Sequence, residues 1–275
     1  MRVSMFVLLL VTGGLALAAD YQIQGNVHYD RYPETVLDIV QPRAPALANR
    51  PGVIVIHGGG WVDGDKEKML EPFCLPLIQR DFVTANVEYR LAKVAPAPAA
   101  AQDVLNAAKW FHDHAAEYRV DPSRILVLGE SAGGELALLT AMLPAGNPFG
   151  PATRIAAVLD FVGIADVESQ LTGPNRQPYA AEWIPDGPDR MTLARQLSPI
   201  TYIRKGLPPV LAIHGDSDTV VPYDQSVRLT KALKSAGDDS ELITVPGGKH
   251  GLTTDEMAKL WPQIFRWLKK HKISL

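Results

Sequence analysis

The 275-residue chain contains a single cysteine, Cys74. No intrachain disulfide can form, so the fold must be held by its core even in an oxidising compartment. Cys74 sits in the apolar run Phe73-Cys74-Leu75-Pro76-Leu77-Ile78, where a thiol behaves as a small inert hydrophobe. Cysteine and histidine do not gather at metal-ligand spacing, which removes the zinc-module readings. Long basic runs are missing and the formal net charge is −3, so nothing points to a nucleic-acid partner. Beyond the N-terminus, no stretch reaches the about 20 apolar residues that a spanning helix needs. Internal repeats and domain linkers are lacking too. Only 93–101 is compositionally biased, rich in Ala and Pro, and it reads as a loop entering a helix.

What is present begins with a leader. Arg2 supplies a positive n-region, 5–17 an apolar core, and Ala16-Leu17-Ala18-Ala19 small residues for cleavage. This predicts a secretory signal peptide over 1–19, cut after Ala18 or Ala19, and a secreted or periplasmic mature protein with no membrane association. The whole chain has 47% hydrophobic and 21% charged residues, and the rest, 20–275, reads as one large soluble domain. Two alternating stretches, 21–29 and 35–40, read as an antiparallel pair. Short apolar strands follow at 53–56, 82–87, 125–128, 155–162, 209–213 and 240–245. Helical patterns at 69–79, 97–114, 135–142, 224–235 and 254–270 separate and close them. Continuous apolar strands alternating with helices predict an α/β fold, with an eight-stranded, mostly parallel sheet covered on both faces. Residues 164–203 break this rhythm with Gly173, Pro174, Pro178, Pro185, Gly187 and Pro188, and form a candidate lid.

The chemistry concentrates at Gly129-Glu130-Ser131-Ala132-Gly133. An apolar strand runs in and a helix-forming run follows, which is the context of a nucleophile elbow. Gly129 and Gly133 would remove Cβ atoms that clash in so sharp a turn. Ser131 is thereby offered above the sheet as a nucleophile. It needs a base, and the base an orienting acid. His250 follows the last strand in the glycine-rich loop Val245-Pro246-Gly247-Gly248-Lys249-His250 and is the candidate base. The preceding strand ends in His214-Gly215-Asp216-Ser217-Asp218. Asp216, nearer the strand, is suited to bonding the turn's own amides. Asp218, further out, can reach a histidine in the next loop and is the favoured acid. His57-Gly58-Gly59-Gly60-Trp61 follows the third strand. The amides of Gly59 and Gly60, with that of Ala132, are the expected oxyanion donors, the Trp61 amide being an alternative. His57 reads as a hydrogen bonder within the loop, Glu130 as an anchor of the elbow, and the Trp61 ring as a substrate-binding wall or core packing.

These motifs, together with Glu88-Tyr89-Arg90-Leu91, Ser198-Pro199 and His214-Gly215-x-x-Asp218-x-x-Val221-Pro222, resemble the α/β-hydrolase esterases. The nearest group is the secreted bacterial feruloyl and acetyl-xylan esterase-like enzymes, followed by hormone-sensitive-lipase-like carboxylesterases. The resemblance implies an α/β-hydrolase fold and a Ser131–His250–Asp218 triad that needs no cofactor or metal. It also implies a small-molecule or polysaccharide ester as substrate. One departure is a missing N-terminal cap before the first strand, which puts a large lipid-binding lid in doubt.

Overall fold

A computed structural model describes residues 20–46 and 48–274. The expected leader, 1–19, lies outside the described residues. Eight strands, β1 (Tyr21–His28), β2 (Val36–Pro42), β3 (Arg50–Ile56), β4 (Val83–Val87), β5 (Val120–Glu130), β6 (Val158–Phe161), β7 (Val210–Gly215) and β8 (Ser240–Val245), form one sheet. Their order is β1-β2-β4-β3-β5-β6-β7-β8. β1 and β2 pair antiparallel, as does β2 with β4, and every later pairing is parallel. The crossover that puts β4 outside β3 makes β3 and β5 direct neighbours, with Ile56 opposite Gly129. The glycine loop after β3 and the serine turn after β5 therefore leave the same sheet edge side by side. This is the α/β-hydrolase arrangement.

Strand side chains alternate between two cores. Ile54, Ile56, Ile125 and Val127 face one side, where α2 (Ala99–Asp113), α3 (Ala132–Met142) and α6 (Asp224–Ala236) pack. Val53, Val55, Leu126, Leu128, Leu211 and Ile213 face the other. There they meet the short α1 (Leu75–Ile78) and the C-terminal α7 (Thr254–Lys270). Residues apolar on both faces explain why the central strands are continuous hydrophobic runs. A capping box starts α7: Thr253 accepts from the Glu256 amide, and Glu256 accepts from the Thr253 amide.

Two elements differ from expectation. The helix predicted over 69–79 is a 3-10 turn (Lys66–Met69), a wide turn (Leu70–Cys74) and only then α1. Pro72 and Pro76 are the cause, because each removes an amide donor from the i to i−4 ladder. The 164–203 segment, expected as a candidate lid, has secondary structure of its own. It holds α4 (Pro178–Trp183), α5 (Arg190–Gln196) and short 3-10 turns, and it buries Ala180, Trp183, Ile184 and Leu197 against the body. Among the described residues no helix is long and apolar enough to cross a membrane.

Candidate active site

Ser131 stands between β5 and α3 with φ 56° and ψ −117°, a conformation non-glycine residues seldom adopt and that costs about 1–3 kcal/mol. The neighbours leave no alternative to glycine. A Cβ on Gly129 would lie 2.0 Å from the Gly133 carbonyl oxygen, and one on Gly133 would lie 2.3 Å from that of Ile56. The Ser131 amide donates to the Phe161 carbonyl of β6 at 2.8 Å, and the Glu135 amide donates to the Ser131 carbonyl at 3.1 Å. The backbone is thus pinned on both sides of the hydroxyl.

His250 Nε2 lies 2.9 Å from Ser131 Oγ, and His250 Nδ1 lies 2.7 Å from Asp218 Oδ2. A carboxylate only accepts, so Nδ1 is the protonated nitrogen and Nε2 accepts the serine proton. The Asp218 side chain is fully buried while that of His250 remains partly open to solvent. Burial alone would push the Asp218 carboxyl up. Hydrogen bonds from His214 and His250, with the amide of Val220, outweigh it and hold the carboxyl well below the usual range. It is an anion throughout the neutral range.

The aspartates divide their work differently from the sequence expectation. Asp218 bonds its own turn, its Oδ1 accepting from the amides of Val220 at 2.8 Å and Val221 at 3.0 Å. Asp216 instead reaches into the β8 loop, accepting the Gly247 amide at 2.7 Å. Asp218 still reaches the histidine, because one carboxyl oxygen is left over for it. His214, to which no role fell in the sequence, gives Asp218 a second side-chain donor at 3.1 Å and takes a hydrogen bond from Ser226 at 2.7 Å. The signal was its place four residues before Asp218 in the same motif.

The glycine loop crosses the elbow closely. A Cβ on Gly58 would touch the Glu130 carbonyl at 3.0 Å and Ser131 Cβ at 3.3 Å. Gly59 and Gly60 have φ of 110° and 60°, a region that favours glycine. A Cβ on Gly59 would also collide with the Asp63 carbonyl oxygen at 1.9 Å. Ala132 opens α3 directly after Ser131. His57 bonds the Gly58 carbonyl through Nδ1 at 2.7 Å and Glu88 through Nε2 at 3.1 Å, and it stacks on Tyr89 with centroids 4.1 Å apart. It is part of the loop's frame. The Trp61 ring corrects one expectation. It is fully buried, stacked on Trp183, and its Nε1 donates to Glu135 at 3.0 Å. It packs in the core and forms no substrate wall. Tyr179 of α4, which the sequence did not flag, takes the outer position, its ring within 2.7 Å of where a Gly60 Cβ would be.

Glu130 is mostly buried, which raises its carboxyl, against the opposing influence of His250 and His57. It borders two small cavities. One, about 200 Å³, is lined by Phe73, Phe161, Leu252 and Met257 among others. The other, about 140 Å³, lies along His57, Gly58 and Gly59. A larger groove, about 650 Å³, lies at the opposite end of the strands, between Arg50 and α7.

The BD-FAE family profile matches residues 37–233, which hold the glycine loop, the elbow and Asp218. The chain belongs to the BD-FAE family. Esterase LipQ of Mycobacterium tuberculosis is 30% identical over 74% of this chain and 51% of its own length. This chain spans about half the length of the curated relatives LipM and LipQ that it matches. A truncated carbohydrate esterase from gut microbiota superposes with a TM-score of 0.78 at 29% identity, covering 90% of this chain and 98% of that one. An esterase from the planctomycete Thermogutta terrifontis, also solved with butyrate bound, gives 0.76 at 25% identity, covering 93% and 94% in its native form.

Proposed function

We propose that this BD-FAE protein is a serine carboxylic-ester hydrolase. The observation that carries the reading is the unbroken hydrogen-bonded chain from Ser131 through His250 to Asp218, at 2.9 and 2.7 Å. His250 Nε2 takes the Ser131 proton as Oγ attacks the ester carbonyl carbon. Charge builds on the carbonyl oxygen, where the amides of Gly59, Gly60 and Ala132 stabilise it. His250 then hands the proton to the departing alcohol. Water, activated by the same nitrogen, cleaves the acyl-enzyme and frees the acid. Asp218, already anionic, holds the imidazole tautomer and stabilises the imidazolium.

The substrates in this reading are short-acyl or feruloyl esters on plant polysaccharide, met outside the cell after removal of a leader. Support comes from the likeness to a carbohydrate esterase. A general short-chain carboxylesterase is the second reading, favoured by the likeness to an esterase solved with butyrate. A panel of aryl acetate, butyrate and octanoate, methyl ferulate and acetylated xylan separates the two. Turnover confined to short aryl esters selects the general enzyme. Ser131→Ala should lower turnover on the order of 10⁶-fold and abolish labelling by a fluorophosphonate. A drop of less than about tenfold would remove Ser131 from the chemistry.

A further inference from the structure

Glu135 lies one helical turn past Ser131 and has no part in the reaction above. Its side chain is fully buried. Oε2 accepts from Trp61 Nε1 at 3.0 Å, and Oε1 has no hydrogen-bond partner. Burial holds its carboxyl well above the usual range, and the single bond from Trp61 only partly opposes this. A lone neutral donor cannot support a buried anion, so Glu135 is a neutral acid whose carbonyl oxygen receives the indole.

Trp61 directly follows Gly60 and has φ 62°. A bulky residue keeps such a conformation only where its surroundings over-determine it. The Ala92 amide donates to the Trp61 carbonyl at 2.8 Å, and two contacts hold its ring. Glu135 fixes the ring edge, and Trp183, the last residue of α4, covers its face at 3.9 Å with planes 10° apart. The Trp183 carbonyl in turn accepts the Ala97 amide at 2.9 Å, just ahead of α2. Helix α3, the glycine loop and α4 therefore meet at one buried hydrogen bond and one stack.

We propose that Glu135 is a positioning residue: through the Trp61 indole it holds the Gly59–Gly60 loop in register with Ser131, and the Trp61–Trp183 stack extends that restraint to α4. The inference rests on the ester-hydrolase reading, in which those glycine amides meet the oxyanion. An apolar residue at 135 would fill the same space but could not aim the ring. Loop donors displaced by a fraction of an ångström affect the transition state more than the bound ester, so the loss falls on kcat and spares KM.

The test compares wild type, Glu135→Gln, Glu135→Leu and Trp61→Phe on an aryl acetate, with active sites counted by fluorophosphonate titration. Glu135→Gln keeps the acceptor and should keep kcat. Glu135→Leu and Trp61→Phe should lower kcat per titrated site on the order of tenfold or more at unchanged KM. Near-UV circular dichroism should show the tryptophan stack weakened in Glu135→Leu and retained in Glu135→Gln. A purely structural role would lower the melting temperature of Glu135→Leu yet leave kcat per site intact, and that result overturns the proposal. So does a Glu135→Gln enzyme as slow as Glu135→Leu. Should Glu135→Leu not fold, Trp61→Phe, which keeps an aromatic stack and loses the N–H, carries the same expectation. Wild type that neither labels nor turns over ester sinks the parent reading instead. The dichroism then still decides the tether, since an unchanged stack in Glu135→Leu refutes it.

Discussion

At the scale of single residues, the site depends on how few partners each polar atom is allowed. Asp218 offers two oxygens, and four donors claim them: two turn amides on Oδ1, His214 and His250 on Oδ2. The carboxylate cannot rotate away without abandoning amides that would then be unpaired. Asp218→Asn should therefore lower kcat about 10⁴-fold, because an amide nitrogen facing His250 Nδ1 favours the wrong tautomer. Asp216→Asn should cost less than about tenfold, since Asn keeps an oxygen for the Gly247 amide and a net hydrogen bond is worth only about 1 kcal/mol. Steady-state kinetics on one aryl ester rank the two, and the reverse order would assign the relay to Asp216. Because the Asp218 carboxyl is held below the usual range, it stays ionised across the acid limb of the rate profile. That limb should keep its midpoint in variants that weaken only the His214 contact.

At the scale of elements, the frame behind the glycine loop is a second determinant. Arg90, just beyond β4, forks onto Asp103 of α2 at 2.6 and 2.8 Å, and Asp103 is fully buried. Tyr89, its chain neighbour, stacks on His57 and donates to the His57 carbonyl at 3.1 Å. The pair thus ties α2 to the floor of the loop. Asp103→Ala should cost about 3 kcal/mol in urea unfolding, the low end for a broken buried pair because the guanidinium keeps some solvent contact. The double variant Arg90→Met with Asp103→Leu should recover only part of that loss, because the residue 90 amide, which donates to Asp103 Oδ2 at 2.9 Å, is left unpaired. Even a partial recovery is one that a purely packing role for Asp103 would not permit. The element-level fold was largely legible in the sequence because strands such as Val53-Ile54-Val55-Ile56 are apolar on both faces and bounded by glycine. The elbow was legible because its glycines answer to local sterics. Residues 164–203 were not, since prolines and glycines that end short helices also mark loops, and Trp183 becomes core only through Trp61. Glu135 was illegible for a related reason, and His214 showed only its place in the Asp218 motif, not its partners. A buried acid in an apolar helix and a histidine in an apolar strand reveal their partners only when distant elements close over them.

At the scale of the whole molecule, buried carboxyls set how stability should respond to pH. Asp160, in the middle of β6, is fully enclosed, and Gly134 and Gly163 have no room for a Cβ against it, at 2.6 and 1.9 Å from its Oδ1. Burial pushes its carboxyl up to about 7, with His214 opposing. The unfolded chain releases that proton near pH 3.9. Between about 4 and 7 the folded state therefore holds a proton that the unfolded state has lost, and stability falls as pH rises, by up to about 1.4 kcal/mol per pH unit for one such group. The contribution is fully present below about 4 and gone once pH passes about 7. Asp218 works in the opposite sense: its depressed carboxyl stabilises above about 4, and the benefit is lost as acid protonates it. Asp160→Asn removes the first slope and leaves the second. Urea denaturation at intervals from pH 4 to 8 should show the variant gaining steadily on wild type up to about 7 and running parallel above it. A constant difference across that range would mean that Asp160 keeps one protonation state throughout, and the decline would then have to come from Asp103, Glu130 or Glu135, buried acids raised in the same direction.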